Sequence, residues 1–302
     1  MYWNRLNDVL RARYGTKVYK LALSSGCSCP NRDGTLGTRG CIFCDGSGAF
    51  AAEGEISRQL SDAKARVAAK AGPAAKYIAY FQSFTNTYGP VEHLRQLYWE
   101  AIEPEDVVVL SVATCLPPPV LELLAACAAE KEVWVELGLQ TIHPASAAYL
   151  RRGYELPVYD RAVEQLHQIG VQVVVHQILG LPGETEEMMV QTARYIGDSG
   201  ANGVKFHLLH VLRGTDLAAE WEAGRVPVLD LETYIRVLEA CLRVLPREVV
   251  IHRLTGDGAK RDLLAPAWSG DKKRVLNAIH RAFLRDDLEQ GSGRCAGAVP
   301  CF

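Results

Sequence analysis

Apolar residues recur along this chain in two patterns that alternate regularly. Short runs that are apolar for most of their length predict buried strands, and longer stretches with apolar residues every three or four positions predict amphipathic helices. The predicted strands are 18–23, 77–81, 107–112, 133–139, 171–179, 203–209 and 249–253, and the predicted helices between them are 55–71, 91–102, 120–130, 159–169, 186–198 and 231–245. Buried strands separated by such helices indicate a parallel sheet covered by helices.

The predicted fold class is α/β, a partial or full parallel (β/α) barrel of the TIM type with an enlarged loop after the first strand. Six or more consecutive units favour a barrel over an open sheet, and 302 residues are enough for one such domain. We expect an N-terminal helix at 1–15 that covers an open edge or end, the barrel at 16–255, and a C-terminal helical extension with a flexible tail at 256–302. Functional residues of such barrels lie at the C-terminal ends of the strands.

Composition narrows the class of protein. The hydrophobic share of 48% and the charged share of 23% are ordinary for a globular protein. The N-terminus is charged throughout and no apolar run reaches about eighteen residues, so we expect a cytoplasmic protein without a membrane segment. The nine cysteines include Cys127 and Cys241 in apolar helical patterns, which fits a reducing compartment. Cys295 and Cys301 are expected in the flexible tail and not in a second metal site.

Charge bears on whether the chain binds nucleic acid. A formal net charge of −2 argues against a broad nucleic-acid surface, because neutralising phosphates needs an excess of lysine and arginine. The net charge does not exclude a local basic patch that binds nucleic acid. The last predicted helix carries basic residues that form either a solvated face or a phosphate-binding patch for RNA: Lys272, Lys273, Arg274, Arg281 and Arg285.

Residues 27–45, CSCPNRDGTLGTRGCIFCD, indicate a metal-binding loop. Four of the nine cysteines fall within eighteen residues here, among glycines and small polar residues that have no apolar period. If Cys27, Cys29, Cys41 and Cys44 all bind, a closed tetrahedral zinc site is expected. If only Cys29, Cys41 and Cys44 bind, they can hold a [4Fe–4S] cluster and leave one iron open to a small molecule.

Polar residues also follow the predicted strands. The second strand leads into QSFTNT at 82–87, which is either a solvated turn and helix cap or a ligand-binding run. Glu136 lies within the fourth strand, with Gln140 further along the same face. An unpaired carboxylate in a barrel strand costs several kcal/mol, so Glu136 must pair with a ligand group or with an arginine from a neighbouring strand.

Histidines collect near the ends of the later strands. His176 lies on the fifth strand, and alternation on the sixth places Lys205, His207 and Leu209 on one face and Phe206, Leu208 and His210 on the other. The last strand ends with His252 and Arg253. We expect the substrate side of the site to contain His210, Arg253 and Asp257.

The cysteine loop resembles the cluster loop of the radical S-adenosylmethionine (radical SAM) superfamily. It ends Cys-x-aromatic-Cys, and Phe43 offers an adenine base a face on which to pack. The gap from Cys29 to Cys41 holds eleven residues instead of the usual three. This gap and the CPNRDGT run resemble the YhcC-type branch, relatives of the Elongator catalytic subunit, and the likeness extends from about Tyr14 to about Arg285. In one departure, the branch's Arg-Pro-Asp is missing before Cys115, which shortens that loop and puts any substrate contact there in doubt.

The resemblance implies cofactors, partners and a reaction. It implies a [4Fe–4S] cluster on the three later cysteines, S-adenosylmethionine (SAM) as a second cofactor, and an electron donor such as flavodoxin or ferredoxin. SAM is expected to contact nine residues: Phe43, Gln82, Ser83, Glu136, Gln140, His176, Ile178, His207 and Leu208. The branch is associated with modification of the carboxymethylaminomethyl side chain of the tRNA wobble uridine, so tRNA is an expected partner. The alternative is a zinc-stabilised α/β protein that binds RNA or a partner without redox chemistry.

Overall fold

Seven parallel strands form one curled sheet in the computed structural model, which describes residues 1–46, 54–82, 84–114, 120–256, 258 and 260–294. The strands of the sheet are β1 (Val18–Leu23), β2 (Lys76–Phe81), β3 (Val107–Thr114), β4 (Glu132–Gln140), β5 (Gln172–Leu179), β6 (Gly203–Leu208) and β8 (Val250–Arg253). Two shorter strands, β7 (Val211–Leu212) and β9 (Leu263–Ala265), form a separate antiparallel pair.

The parallel strands lie in the order β1-β2-β3-β4-β5-β6-β8, so each pairs with the next one along the chain. Among the described residues no ladder joins β8 back to β1. The predicted class is therefore confirmed in its partial form, an open (β/α) barrel. The predicted domain boundaries stay a prediction, and Cys115, Cys295 and Cys301 lie outside the described residues.

The described part of the chain contains ten α-helices and one 3₁₀ turn. The helices are α1 (Leu6–Tyr14), α2 (Ile56–Val67), α3 (Val91–Ile102), α4 (Leu121–Glu130), α5 (Pro144–Leu150), α6 (Leu156–Gln168), α7 (Glu186–Asp198), α8 (Asp216–Glu222), α9 (Leu231–Val244) and α10 (Lys272–Arg285), and the turn is Ala267–Gly270. Every helix in these ranges is too short or too polar to cross a lipid bilayer.

The two faces of the sheet have different roles. Successive side chains of a strand point to opposite faces. The outer face packs against the helices in the main core, with residues such as Leu21, Phe81 and Val135. The inner face forms a smaller apolar layer that Leu6 and Leu10 of α1 complete, with Ile78, Val109, Trp134 and Val174 from the strands. The helix α1 therefore closes the N-terminal end of the barrel, and the opposite end is left for chemistry.

Three elements differ from the sequence prediction. The helices α5 and α8 and the β7/β9 pair lie in stretches for which no helix or strand was predicted. The sequence of α5 is PASAAYL, whose small residues give no helical period, and β7 and β9 have only two and three residues, too few for alternation to be seen. These elements surround the loop after β1, so their absence from the prediction affects the site more than the fold.

The buried side chain of Gln290 joins the N-terminal segment and the segment after α10 to the residues that lead into β8. Its Nε2 donates to the carbonyls of Pro246 and Val249 at 2.6 and 2.9 Å, and its Oε1 accepts from the amide of Asn4 at 2.9 Å. Since the residue is 0% exposed, water cannot replace these contacts. One side chain thus fixes the N-terminal segment, the approach to β8 and the segment after α10.

Replacing Gln290 with leucine should lower the free energy of unfolding by about 2–5 kcal/mol, because two carbonyls and one amide lose their partner in a buried position. Urea unfolding followed by circular dichroism measures the change. The matched control is Gln191→Leu on the exposed face of α7, which should change stability by less than about 0.5 kcal/mol. Equal effects of the two variants would contradict the role of Gln290.

Candidate active site

A cavity of about 390 Å³ lies at the C-terminal ends of the barrel strands. Its wall combines the loop after β1 with the inner face and exits of the strands from β2 to β8. In a parallel barrel these ends meet at one edge, so residues distant in sequence share one space. The volume is in the range of small-molecule sites, roughly 300–1,000 Å³.

The loop after β1 brings Cys29, Cys41 and Cys44 to the cavity wall. The amide of Cys44 donates to the carbonyl of Cys41 at 3.0 Å, which forms a tight turn. Burial raises the pKa of the Cys41 thiol to about 11, so its thiolate needs a partner such as a metal. Among the described residues, no three cysteine, histidine or carboxylate side chains converge on a point that could hold a single metal ion.

Cys27 faces a different direction from the other three cysteines. Its Sγ lies 3.2 Å from the position of a Cβ on Gly89, and its side chain packs against the main core. Burial raises the pKa of this thiol, which favours the protonated form. The structure therefore separates one cysteine of the loop from the three that line the cavity.

The helices α5 and α8 hold the cysteine loop in place. The amide of Ile42 donates to the carbonyl of Leu150 at 3.2 Å, and the amide of Leu217 donates to the carbonyl of Ile42 at 3.0 Å. Asp216 at the start of α8 pairs with Arg151 just after α5 at 2.5 Å. The segment that carries Cys41 and Cys44 is thus attached to two elements that the sequence pattern did not predict.

Glu136 lies at the floor of the cavity, and its carboxylate is completely buried. It accepts hydrogen bonds from Ser111 Oγ at 2.9 Å, Tyr80 OH at 3.0 Å and His176 Nε2 at 2.8 Å. It forms an ion pair with Lys205, and Lys20 Nζ lies 3.6 Å from its other oxygen. The expectation that this carboxylate pairs is confirmed, but the cations are lysines from β6 and β1 and not an arginine.

The charges of this network determine its protonation. Burial raises the pKa of Glu136, but the charges of Lys205 and Lys20 and the hydrogen bond from His176 lower it well below the usual 4.5. Burial lowers the pKa of Lys205 and of Lys20, and the attraction of Glu136 offsets this only in part. Burial, followed by the charge of Glu136, raises the pKa of Tyr80 and keeps its phenol protonated.

Two histidines lie side by side above this floor. The rings of His176 and His207 line the cavity with their centroids 4.9 Å apart. Burial lowers the pKa of His207 well below 6.5, so its ring is neutral. Its buried Nε2 has no hydrogen-bond partner among the described residues. Since leaving such an atom unpaired costs about 1–3 kcal/mol, a ligand in the cavity would gain by bonding to it.

His210 lies on the cavity together with His207. The prediction that the two histidines face opposite sides of the sheet is wrong, because β6 ends at Leu208 and strand alternation does not extend to His210. Arg253 lines the cavity from the end of β8. Asp257, the third residue predicted for the substrate side, lies outside the described residues.

Several of the residues predicted to bind the cofactor also reach the cavity. Phe43, Gln82 and Gln140 line it, whereas Ser83 lies outside the described residues. The backbone of Gln140 has φ +62°, in the left-handed region. Such a conformation costs about 1–3 kcal/mol outside glycine and is typical of ligand sites. Gln140 is therefore held in its position at the end of β4 by its surroundings.

Two other predicted contacts do not line the cavity. Leu208 packs in the main core between the sheet and the helices, because alternation places it on the face opposite Lys205 and His207. Ile178 packs below the cysteine loop in the apolar cluster that contains Ile42. The side chains of these two residues lie away from the cavity lining, and the prediction that they contact the cofactor stays a prediction.

Sequence reasoning missed several residues of the cavity. On the strands, Tyr80 and Lys205 line the wall, and Lys20 approaches the carboxylate of Glu136 at the floor. Their signal is the period of two, which places all three on the inner face with Glu136. Asn31 and Arg32 of the cysteine loop also line the cavity, and only the spacing within the CPNRDGT run could have indicated them.

The donor set fits an iron–sulfur cluster. Cysteine thiolates are the usual protein ligands of [4Fe–4S] clusters, and here three thiols from one loop open onto a cavity with room for a small molecule. A partial parallel barrel with this arrangement at its C-terminal end defines an iron–sulfur enzyme whose cluster lies beside a ligand pocket.

Comparison with known proteins identifies the family. The chain belongs to the radical SAM superfamily: the model of that superfamily matches residues 34–196, and the model of the Radical_SAM C-terminal domain matches residues 201–285. It is 41% identical to YtqA of Bacillus subtilis over 96% of this chain and 92% of YtqA, and 38% identical to YhcC of Escherichia coli over 96% of this chain and 94% of YhcC.

Two further likenesses are more distant. A tRNA uridine(34) acetyltransferase of Methanocaldococcus jannaschii is 28% identical over 126 residues, which are 41% of this chain and 23% of that protein. The solved structure of Elp3 from Methanocaldococcus infernus, with residues 1–46 deleted, superposes with a TM-score of 0.68 at 18% identity over 90% of this chain and 64% of that one. At this identity the superposition shows a shared fold.

These matches confirm the predicted family, enzyme class and cofactors. The chain is a radical SAM enzyme of the YhcC family, and its cofactors are a [4Fe–4S] cluster and SAM. The zinc-stabilised binding protein is not favoured. The assignment of individual residues to these cofactors stays a prediction.

Replacing Glu136 with leucine should lower the free energy of unfolding by about 3–5 kcal/mol, because it leaves the buried amine of Lys205 and the partly buried amine of Lys20 without their counter-charge. Urea unfolding followed by tryptophan fluorescence measures this. Glu164→Leu makes the same change on the exposed face of α6 and should alter stability by less than about 0.5 kcal/mol. A loss at Glu136 no larger than in the control would show that the network does not stabilise the barrel.

Proposed function

We propose that Cys29, Cys41 and Cys44 hold the [4Fe–4S] cluster and that SAM binds beside it in the cavity. The observation that carries this proposal is the separation of the cysteines: three line the cavity, and Cys27 packs against the core. Three protein thiolates leave one iron free for the amino and carboxylate groups of SAM. When bound, the cofactors supply reductive cleavage of a C–S bond of SAM, which gives methionine and a 5′-deoxyadenosyl radical that abstracts a hydrogen atom.

The residues of the cavity would bind and orient the cofactor. Phe43 belongs to the cysteine loop, so its ring would pack on the adenine of SAM once the cluster is in place. Gln82 and Gln140 present amide groups at the exits of β2 and β4 for the polar parts of the cofactor. The neutral His207 offers an unpaired Nε2 as a further hydrogen-bonding group.

Glu136 has a different role in this proposal. Protein donors surround both of its oxygens, so it would act on the cofactor through its neighbours and not by direct contact. His176 is one of those neighbours, and its ring is oriented by the carboxylate while it lines the cavity. Glu136 is thus a positioning residue. The floor it builds also excludes water from the radical.

We further propose that the substrate is the wobble uridine of tRNA, at its carboxymethylaminomethyl side chain. Support comes from the 126-residue similarity to a tRNA uridine(34) acetyltransferase and from the fold shared with Elp3. His210 and Arg253 would face this substrate. The exposed basic residues of α10 would contact its phosphates: Lys272, Lys273, Arg274, Arg281 and Arg285. A tRNA substrate places the enzyme in the cytoplasm, where a flavodoxin or ferredoxin would supply the electron.

The cluster assignment predicts unequal effects of the four loop cysteines. Cys29→Ala, Cys41→Ala and Cys44→Ala should each reduce bound iron and sulfide to less than about a tenth of the wild-type content, because each removes one protein ligand. They should also abolish formation of 5′-deoxyadenosine. Iron and acid-labile sulfide are measured on protein purified without oxygen, and 5′-deoxyadenosine by chromatography after adding SAM and dithionite.

Cys27→Ala is the matched control, since Cys27 lies in the same loop and packs away from the cavity. It should keep iron, sulfide and 5′-deoxyadenosine near the wild-type values. Equal losses from all four substitutions would instead support a closed site of four thiolates.

The tRNA proposal predicts a changed nucleoside profile in cells that lack this enzyme. Mass spectrometry of digested tRNA should show a changed amount of a wobble uridine that carries a carboxymethylaminomethyl-type side chain. Wild-type protein should restore the profile, and Cys41→Ala should not. A profile identical to that of the parent cells would remove tRNA as the substrate and leave the enzyme class unaffected.

A further inference from the structure

The CPNRDGT run contains two polar residues that no ligand role explains. Asn31 and Arg32 follow Cys29 by two and three positions, and both line the cavity with the three cysteines. The loop backbone folds them inward, since the amide of Arg32 donates to the carbonyl of Cys29 at 2.8 Å and the amide of Gly40 donates to the carbonyl of Asn31 at 2.7 Å. Two hydrogen-bond donors are thus enclosed by the segment that carries the thiols.

The side chain of Asn31 points its amide nitrogen at a cysteine sulfur. This residue is 7% exposed, and its Nδ2 lies 3.6 Å from Cys41 Sγ and 3.1 Å from the carbonyl oxygen of Arg151. The carbonyl of Arg151 requires a donor, which fixes the amide with its nitrogen toward the sulfur. A Cβ on Gly153 would lie 2.5 Å from Asn31 Oδ1, so the other side of the amide is also closely packed.

Arg32 places a positive charge next to the same sulfurs. Its Nη2 donates to the carbonyl of Cys44 at 2.5 Å. A Cβ on Gly40 would lie 2.7 Å from Arg32 Nε, and a Cβ on Gly46 would lie 2.7 Å from its Nη1. Both glycines have φ near +70°, so the backbone and the missing side chains together leave room for the guanidinium.

Arg32 lines the same cavity as Cys29, Cys41 and Cys44. Arg39 on the same loop is a useful contrast, because its side chain is 68% exposed and pairs with Asp216 at 2.8 Å. One arginine of the loop therefore faces the sulfurs, and the other faces solvent and α8.

We propose that Asn31 and Arg32 raise the reduction potential of the cluster held by their loop. One-electron reduction adds a negative charge that is spread over the iron and sulfur atoms. Hydrogen bonds to the sulfurs and a nearby cation stabilise that added charge, and both are known determinants of cluster potentials. This inference rests on the proposed cysteine ligands. Under this proposal, the CPNRDGT run sets how readily the cluster accepts an electron.

Redox titration followed by electron paramagnetic resonance tests the proposal on full-length protein with its cluster reconstituted without oxygen. Arg32→Met should disfavour reduction by roughly tenfold in the equilibrium constant, which corresponds to a potential about 59 mV lower. Asn31→Ala should shift the potential in the same direction by roughly half as much. Arg32→Lys keeps the positive charge, so its potential should differ from the wild-type potential by no more than about a third of the shift caused by Arg32→Met.

Arg39→Met is the matched control and should leave the potential unchanged, because the cation it removes is exposed, pairs with Asp216 and is screened by solvent. Potentials of Arg32→Met and Asn31→Ala that coincide with this control, at wild-type iron and sulfide contents, would overturn the proposal. If the Arg32→Met protein does not bind the cluster, Arg32→Gln is used as the neutral variant instead. Equal reduction potentials for Arg32→Gln and Arg32→Lys would show that the charge of residue 32 does not affect the potential.

The wild-type protein separates this proposal from the ligand assignment. If the reduced wild type lacks the resonance of a [4Fe–4S] cluster, the cysteine assignment is wrong and the present proposal falls with it. A normal resonance with unshifted potentials in the variants overturns only the role of Asn31 and Arg32.

Discussion

The buried carboxylate of Glu136 constrains the whole interior of the barrel. Removing an ionised carboxylate from water costs several kcal/mol unless its oxygens find donors and counter-charges. Here the donors come from β2, β3, β5 and β6, and a second lysine approaches from β1. Because these strands must all present side chains to one point, the sheet has to curl around Glu136. In a flat sheet with the same strand order, the lysines of β1 and β6 would lie too far from the Glu136 carboxylate to neutralise it.

This polar layer divides the barrel into two parts. On its N-terminal side the inner-face residues are apolar and α1 completes their packing. On its C-terminal side lie the cavity, the histidines and the cysteine loop. The lower part therefore stabilises the strands, while the upper part is lined by groups that belong to loops and strand ends. A radical reaction benefits from this division, since a rigid floor keeps reactants in place and excludes water.

The sequence pattern predicted the regular elements well because each strand and each long helix carries its own period. The helices α3 and α7 were predicted with the bounds found in the structure. The partners of Glu136 could not be identified in this way. Lys205 is 69 residues from Glu136 along the chain, and only the register of β4, β5 and β6 brings the two together. Alternation gives the face of a side chain, but not which side chains of one face meet.

Loops limited the prediction of the site more than strands did. His210 lies two residues past the end of β6, where the period of two no longer applies, so its direction follows from the turn toward β7. The attachment of the cysteine loop to α5 and α8 depends on main-chain hydrogen bonds, which carry no residue-type signal. Spacing indicated four candidate cysteines, and the family resemblance favoured three of them, but the separate direction of Cys27 required the fold.

Charge is distributed in this molecule according to where charge changes during the proposed reaction. Abstraction of a hydrogen atom moves no net charge, so the floor built on Glu136, Lys205 and Tyr80 does not need to change its protonation and can stay rigid. The arrival of an electron does change the charge, and in the proposed reaction it arrives at the cysteine loop. That loop carries Asn31 and Arg32, whose donor groups are held in place by hydrogen bonds to main-chain carbonyls before the electron arrives. Preformed dipoles and charges lower the energy of reorganisation, because they need not turn toward the new charge. The residues at the floor of the barrel therefore keep the cavity rigid, and a separate set of residues in the cysteine loop stabilises the added charge.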